Sequence, residues 1–301
     1  MMSSISETCR IDSLNPFYNF PIPVDILRLD LVHPIISGNK WFKLKEYIKD
    51  AEQKNKNTLL TFGGAFSNHI VATAAAANLK GFQSIGIIRG EKPSAPSPSL
   101  QNAQGYGMKL FFTSREDYKH KKMPEAIYKI YDEEGIYVIP EGGYGKKGAI
   151  GASSILLSDE TKPYTHILSA VGTGTTLAGL IMATQTTQKV IGISALKNAF
   201  SLQEEIERLL PEEKQHQSFT LLHDYHFGGY AKHTKELFQF MNDFYSNSNI
   251  PTDFVYTAKA IYAAFDLLKK NFFLATDKLL IVHTGGLQGN RSLMKGTLIF
   301  D

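Results

Sequence analysis

The sequence predicts an α/β fold with two domains, each an open, twisted, mostly parallel sheet flanked by helices, and three observations carry that reading. The chain has 301 residues, a length at which a single hydrophobic core stops growing and two lobes with a cleft between them are expected. From Thr58 onward, short β-rich apolar runs bounded by Gly, Pro or polar residues alternate with amphipathic stretches, the pattern of repeated strand–helix units. The runs are apolar nearly throughout rather than at every second residue, as in strands covered on both faces.

Taken in order, Asn39 and Lys40 open an amphipathic helix. The first strand is expected over 58–62, with a helix over 69–79 behind it. A strand over 83–88 leads into the Pro- and Ser-rich loop 91–97, then a strand over 109–113, a helix over 125–133 and a strand over 136–139. Glycines and charges at 140–147 interrupt the alternation. The boundary is placed there: a smaller α/β domain over 41–140, and a larger one made of 1–40 together with 141–301. The larger domain carries strands over 166–171, 190–195 and 279–283. Its helices are expected over 175–185, 202–210, 234–244 and 257–269.

Composition bounds the function. Hydrophobic residues make up 43% and charged residues 20%, ordinary for a globular chain. The 32 basic against 29 acidic side chains leave a net charge of +3, too balanced to call for nucleic acid or an anionic membrane as partner. A single cysteine, Cys9, leaves no internal disulfide and no cysteine-based zinc cage. His223 and His226 have no partners at ligand spacing, so no metal is expected. Residues 1–12 are polar, without the apolar centre of a secretory leader, and no apolar run approaches a membrane span. A cytoplasmic location follows as the expectation. Lys119, His120, Lys121 and Lys122 read as a solvated helix face.

Five stretches could carry chemistry. Lys40, in Ser37-Gly38-Asn39-Lys40-Trp41, follows a turn-forming tripeptide and stands beside the only tryptophan. An amine among apolar groups loses basicity and becomes usable for Schiff-base chemistry, whereas the ordinary role of a lysine is at the surface. In Gly63-Gly64-Ala65-Phe66-Ser67-Asn68-His69 a strand ends in glycines and a helix opens on Ser-Asn-His. That suits a close-lying anion such as a carboxylate, and equally a plain helix cap. Gly172-Thr173-Gly174-Thr175-Thr176 again joins an apolar run to a helix and offers amides and hydroxyls to one phosphate group. A dinucleotide fingerprint would want glycine at Leu177 and an acid after the next strand, and a Walker loop would want Gly-Lys-Ser/Thr; the chain has neither. Lastly, Asp253-Phe254-Val255-Tyr256-Thr257 opens a helix and His283-Thr284-Gly285-Gly286 ends a strand. Thr257 and Thr284 could each aim a hydroxyl at a ring heteroatom, or simply cap and terminate those elements.

With these five pieces in this order, from about Leu27 to Gly286, the sequence resembles the D-cysteine desulfhydrase / 1-aminocyclopropane-1-carboxylate (ACC) deaminase family. These are pyridoxal-phosphate (PLP) enzymes of the tryptophan synthase β-like fold. The resemblance implies PLP as cofactor, a small amino acid as substrate and a homodimer. It implies that Lys40 holds the cofactor covalently, that Asn68 faces its phenolic oxygen and that Gly172, Thr173, Gly174, Thr175 and Thr176 hold its phosphate. Thr257 and Thr284 fall at the pyridine nitrogen, Ser67, Asn68 and His69 beside the substrate, and Tyr256 and Tyr230 among the catalytic groups. The family's deaminases tend to carry glutamate, leucine and glutamine where this chain has Thr257, Thr284 and His69. Its desulfhydrases match this chain, which favours β-elimination. A carboxylate at the ring nitrogen keeps it protonated and strongly electron-withdrawing, whereas a lone hydroxyl bonds a neutral nitrogen and leaves a weaker sink. Two departures bear on the substrate: Tyr144-Gly145-Lys146-Lys147-Gly148 replaces a common Ser-Asn-x-x-Gly, and Ile70-Val71-Ala72-Thr73 replaces a segment containing arginine. Serine or threonine dehydration and racemisation are rival reactions of the same fold. A binding protein without catalysis is the rival from another class.

Overall fold

Strands that are apolar on both sides need cover on both sides, and the computed structural model supplies it in two layered bodies; it describes residues 9–215 and 217–300. The strands among the described residues are β1 (Ile11–Ser13), β2 (Val24–Arg28), β3 (Thr58–Gly63), β4 (Gln83–Arg89), β5 (Lys109–Thr113), β6 (Ile136–Ile139), β7 (His166–Val171), β8 (Lys189–Ser194), β9 (Phe219–Leu222) and β10 (Leu279–His283). One sheet has the order β5-β4-β3-β6 and the other β1-β2-β10-β7-β8-β9. Every pairing is parallel except β1 against β2. The α-helices are α1 (Asn39–Gln53), α2 (Asn68–Lys80), α3 (Pro98–Gly105), α4 (Arg115–Lys119), α5 (Glu125–Tyr128), α6 (Lys146–Ser153), α7 (Thr175–Ala183), α8 (Leu202–Glu207), α9 (Lys235–Ser248) and α10 (Thr257–Lys269).

The core explains how the two sheets hold together. Trp41, Phe42, Leu44 and Ile48 of α1 pack in one cluster with Leu59 and Ile139 of the four-stranded sheet, with Ile167 and Val171 of the larger one and with Leu177 of α7. Helix α1 is thus a shared wedge between them. On the far face of the larger sheet, Ile26, Leu168, Ile191 and Ile281 meet Ile261, Ala264 and Leu268 of α10.

All seven expected strands form, within a residue or so at each end. Three others were not expected. In β2, Asp25 and Arg28 disguise the strand. The structure answers both charges: Asp25 accepts from the Tyr164 hydroxyl at 2.7 Å, and Arg28 pairs with Asp30 at 2.7 Å and Asp12 at 3.0 Å. The expected helix over 125–133 stops at Tyr128, because Asp132 adopts an extended conformation and caps a new 3-10 turn through the Glu134 amide. The helix expected over 175–185 ends at Ala183, where Thr184 turns extended. The basic segment 119–122 is exposed as expected, but only Lys119 is helical, at the end of α4; Lys121 takes a left-handed φ of 52° and lays its amine over the Tyr118 ring, 3.9 Å from the centroid. The polar N-terminal stretch lies outside the described residues as far as Thr8; Cys9 packs at the edge of the α1 cluster. Among the described residues no helix is long and apolar enough to cross a membrane.

Candidate active site

The segments that follow the carboxyl ends of β3, β6, β7 and β10 face one another and enclose a cavity of about 260 Å³, the usual place for a ligand in parallel sheets. Its first component is the start of α1. Gly38 has φ of 69°, and a Cβ there would lie 1.9 Å from the Thr284 oxygen. Gly285, at φ 72°, approaches from the other side, and its own Cβ would lie 2.7 Å from the Gly38 Cα. Only two bare glycines can cross this closely. The crossing is sealed by the Asn39 amide donating to the Thr284 oxygen at 3.0 Å, and the Asn39 side chain donates to Thr176 Oγ1 at 2.9 Å. Lys40 therefore enters the cavity from the first turn of α1, with Nζ donating to the Gly142 oxygen at 3.1 Å. Burial pushes its amine down to about 8, against the nearby Glu141 carboxylate, which favours the charged form.

Two helix N-termini point into the same space. Ser67 caps α2, its hydroxyl accepting from the Ile70 amide at 3.3 Å. Asn68 donates to the Gly286 oxygen at 3.0 Å, while its own side-chain oxygen is buried without a partner. His69 is buried. Its Nε2 lies 2.8 Å from Thr61 Oγ1, whose proton goes to the Ile139 oxygen, so the ring donates from Nε2. Burial, together with Lys40 and Lys43, keeps the imidazole neutral, well below its ordinary range. At the second terminus Gly172, Thr173, Gly174 and Thr176 line the cavity, and Gly174 turns into α7 with φ of 78°. Thr175 is fully buried and does not line it; its hydroxyl lies 3.2 Å from that of Thr173.

Tyr256 and Tyr230 close another wall, edge to face with centroids 6.1 Å apart. Burial is the main cause that pushes both phenols up, Tyr256 far above its ordinary range. A Cβ on Gly172 would sit 3.0 Å from the Tyr256 ring, so glycine there leaves the phenol its place. Thr284 lines the cavity; Thr257 does not, and its hydroxyl is engaged with Asp253. None of residues 144–147 lines the cavity; Tyr144 instead reaches Glu205.

Sequence reasoning missed Lys43 and the individual importance of Glu141. Lys43 is 2% exposed, lines the cavity one turn after Lys40, and has no ion pair among the described residues. Burial, then the charge of Lys40, lowers its amine well below the usual lysine range. The i, i+3 spacing from Lys40 on an amphipathic helix was the available signal. A partly neutral amine, a second buried amine beside it, protonated phenols and two anion-ready helix ends on one small cavity suit covalent capture of a phosphorylated aldehyde and proton transfer on a small amphoteric substrate.

Comparison with known proteins is consistent with this geometry. A family model described as "Pyridoxal-phosphate dependent enzyme" matches residues 22–285. A Pyrococcus horikoshii protein named provisionally as a 1-aminocyclopropane-1-carboxylate deaminase is 30% identical, over 88% of this chain and 85% of its own. The mitochondrial bifunctional D-cysteine desulfhydrase/1-aminocyclopropane-1-carboxylate deaminase of Arabidopsis thaliana is 28% identical, over 88% of this chain and 72% of its own. Among solved structures, an ACC deaminase homologue superposes with a TM-score of 0.79 at 28% identity, covering 95% of this chain and 91% of its own.

Proposed function

The chain belongs to the pyridoxal-phosphate-dependent enzymes, and from that membership we propose that it carries out β-elimination on a small amino acid, with D-cysteine as substrate and sulfide, pyruvate and ammonia as products. The residues around the cavity fit the cofactor. Lys40 offers the amine, the segment 172–176 offers amides and hydroxyls at the start of α7, and Lys43 adds a buried amine that a bound anion would favour in its charged form. Asn68 lines the same cavity, and its amide nitrogen, which gives one hydrogen to the Gly286 oxygen, has a second for a ring oxygen substituent. When bound, PLP supplies an electron sink for the substrate's Cα.

The remaining work falls to the chain itself. The substrate carboxylate rests at the N-terminus of α2, on the amides and side chains of Ser67, Asn68 and His69, where the helix dipole favours negative charge. Lys40, with its amine at about 8, is partly neutral near physiological pH and removes the Cα proton. Tyr256 and Tyr230, whose phenols stay protonated, supply the proton to the departing sulfur. Water then hydrolyses the released aminoacrylate to pyruvate and ammonia. The observation that carries the reading is this base and these acids on one cavity too small for a large substrate. We further take 41–140 as the smaller domain against 1–40 plus 141–301, which puts Lys40 at their junction, and the active form as a homodimer.

The family names of its relatives favour a second reading, ring-opening deamination of ACC. A panel of D-cysteine, L-cysteine, β-chloro-D-alanine and ACC separates the two by product. Pyruvate from the D-configured substrates supports the first reading, whereas 2-oxobutyrate from ACC alone replaces it with the second. Serine dehydration or racemisation would show as pyruvate from serine or inversion without product.

A further inference from the structure

Lys259, in the first turn of α10, is fully buried. Its amine is spent on two backbone oxygens, those of His226 and Gly229, each at 2.8 Å. Both oxygens already close turns: the Gly229 amide donates to His226 at 3.0 Å and the Lys232 amide to Gly229 at 3.1 Å. One amine therefore fastens two successive turns to one helix. Burial lowers it to about 8, against the attraction of Asp253, so at neutral pH it keeps the charge that strengthens its bonds to the carbonyls. The segment it holds has a costly backbone. Phe227 and Ala231 take left-handed φ of 49° and 52° around Gly228 at 93° and Gly229 at 116°, which side chains disfavour and which persists only where the surroundings impose it. Phe227 adds an apolar hold, edge to face with Tyr262 of the same helix, 4.9 Å between centroids. Tyr230 directly follows the second anchored oxygen and lines the cavity. Tyr256, its partner there, is the N-cap of α10, three residues before Lys259. The loop that carries one phenol and the helix that carries the other thus meet at a single amine.

We propose that Lys259 is a positioning residue: it clamps 226–231 onto α10 and so holds Tyr230 against Tyr256 at the cavity, in place to give its proton to the departing group. The proposal rests on the reading of Tyr230 as a proton donor. Lys259 does not line the cavity, and its effect passes through the loop alone. The clamp matters most for a leaving group that needs a proton, and least for one that departs as a stable anion.

Hydrogen exchange of the whole protein reads the clamp without turnover. In Lys259→Met the amides of Gly229 and Lys232, which share its acceptors, should exchange about tenfold faster while those of β7 keep their rates; unchanged exchange at 229 and 232 overturns the proposal. Lys259→Gln, which keeps an amide donor, is made in parallel. Loss of the melting transition in both variants also overturns it, since a loop clamp does not carry the fold. Turnover then reads the consequence. Sulfur takes up a proton as it departs, whereas chloride needs none, so the ratio of kcat on D-cysteine to kcat on β-chloro-D-alanine should fall about tenfold in Lys259→Met. An equal loss on both substrates, or none, overturns the proposal. In a Tyr230→Phe background the same substitution should change that ratio by less than about twofold. A further tenfold fall there shows a route other than Tyr230 and overturns it as well. A native protein without action on D-cysteine refutes the preceding reading, and the exchange result then decides the clamp by itself.

Discussion

The lowered basicity of Lys40 has a measurable signature in the rate at which apo-protein captures its cofactor. Imine formation needs the free amine, and an amine at about 8 is about 9% neutral at pH 7 and about 91% at pH 9, a tenfold rise. An ordinary lysine at 10.5 would be only about 0.03% neutral at pH 7, so the buried amine gains about 300-fold in reactive population there. Stopped-flow absorbance of apo-protein mixed with excess PLP should therefore show a capture rate that climbs through a midpoint near 8 and then levels off. Glu141→Gln sharpens the test. Its carboxylate favours the charged ammonium, so its removal should move the midpoint to lower pH and speed capture at pH 7. A flat profile, a midpoint near 10.5, or a Glu141→Gln midpoint that moves upward would refute the claim that burial tunes this amine.

Further expectations follow from the same geometry. Between pH 8 and 10.5 the unfolded chain holds a proton on Lys40 that the folded apo-protein does not, so apo stability should rise with pH across that window. The penalty is fully present below pH 8, and Lys40→Met should stabilise apo-protein at pH 7 by up to about 3 kcal/mol, measured by urea denaturation; no gain refutes the burial of a charge there. Lys43→Met should raise the apo melting temperature while weakening PLP binding several-fold; tighter PLP binding would show that Lys43 plays no part in holding the phosphate. Gly38→Ala combines a φ of 69° with a contact 1.9 Å from the Thr284 oxygen, and should cost about 3 kcal/mol or more; a loss below about 1 kcal/mol, by the same denaturation, would contradict the crossing. Gly172→Ala, which presses a methyl to 3.0 Å from the Tyr256 ring, should lower PLP affinity with little change in stability, and fluorescence titration of apo-protein checks it.

The sequence was most legible where one force dominated. The runs that became β3, β4, β7, β8 and β10 are apolar almost throughout, and burial on both faces leaves such segments few alternatives. It was opaque where a charge is answered from far along the chain. Nothing near Asp25 or Arg28 announces Tyr164 or Asp12, so β2 reads as polar. The glycine-rich turns at 172–174 and 284–286 were visible because Gly174, Gly285 and Gly286 take positive φ that favours glycine, yet Lys43 hid among ordinary helical lysines, since whether an amine is buried depends on tertiary packing. Thr257 stands out in the sequence, but its engagement with Asp253 is a local hydrogen-bond closure that composition and spacing do not encode, and it leaves Thr257 off the cavity wall.

The crossing of Gly38 over Gly285 has a consequence for biogenesis. It joins the start of α1 to the turn after β10, segments far apart in sequence, so the lysine cannot reach its working place until β10 has docked. A nascent or clipped chain that stops before Leu279 could still form the four-stranded sheet from 58–139, yet it would have no seat for the vitamin. Yellow colour in this protein should thus report that β10 is in place, and the reactive aldehyde is sequestered only once that strand has joined the sheet.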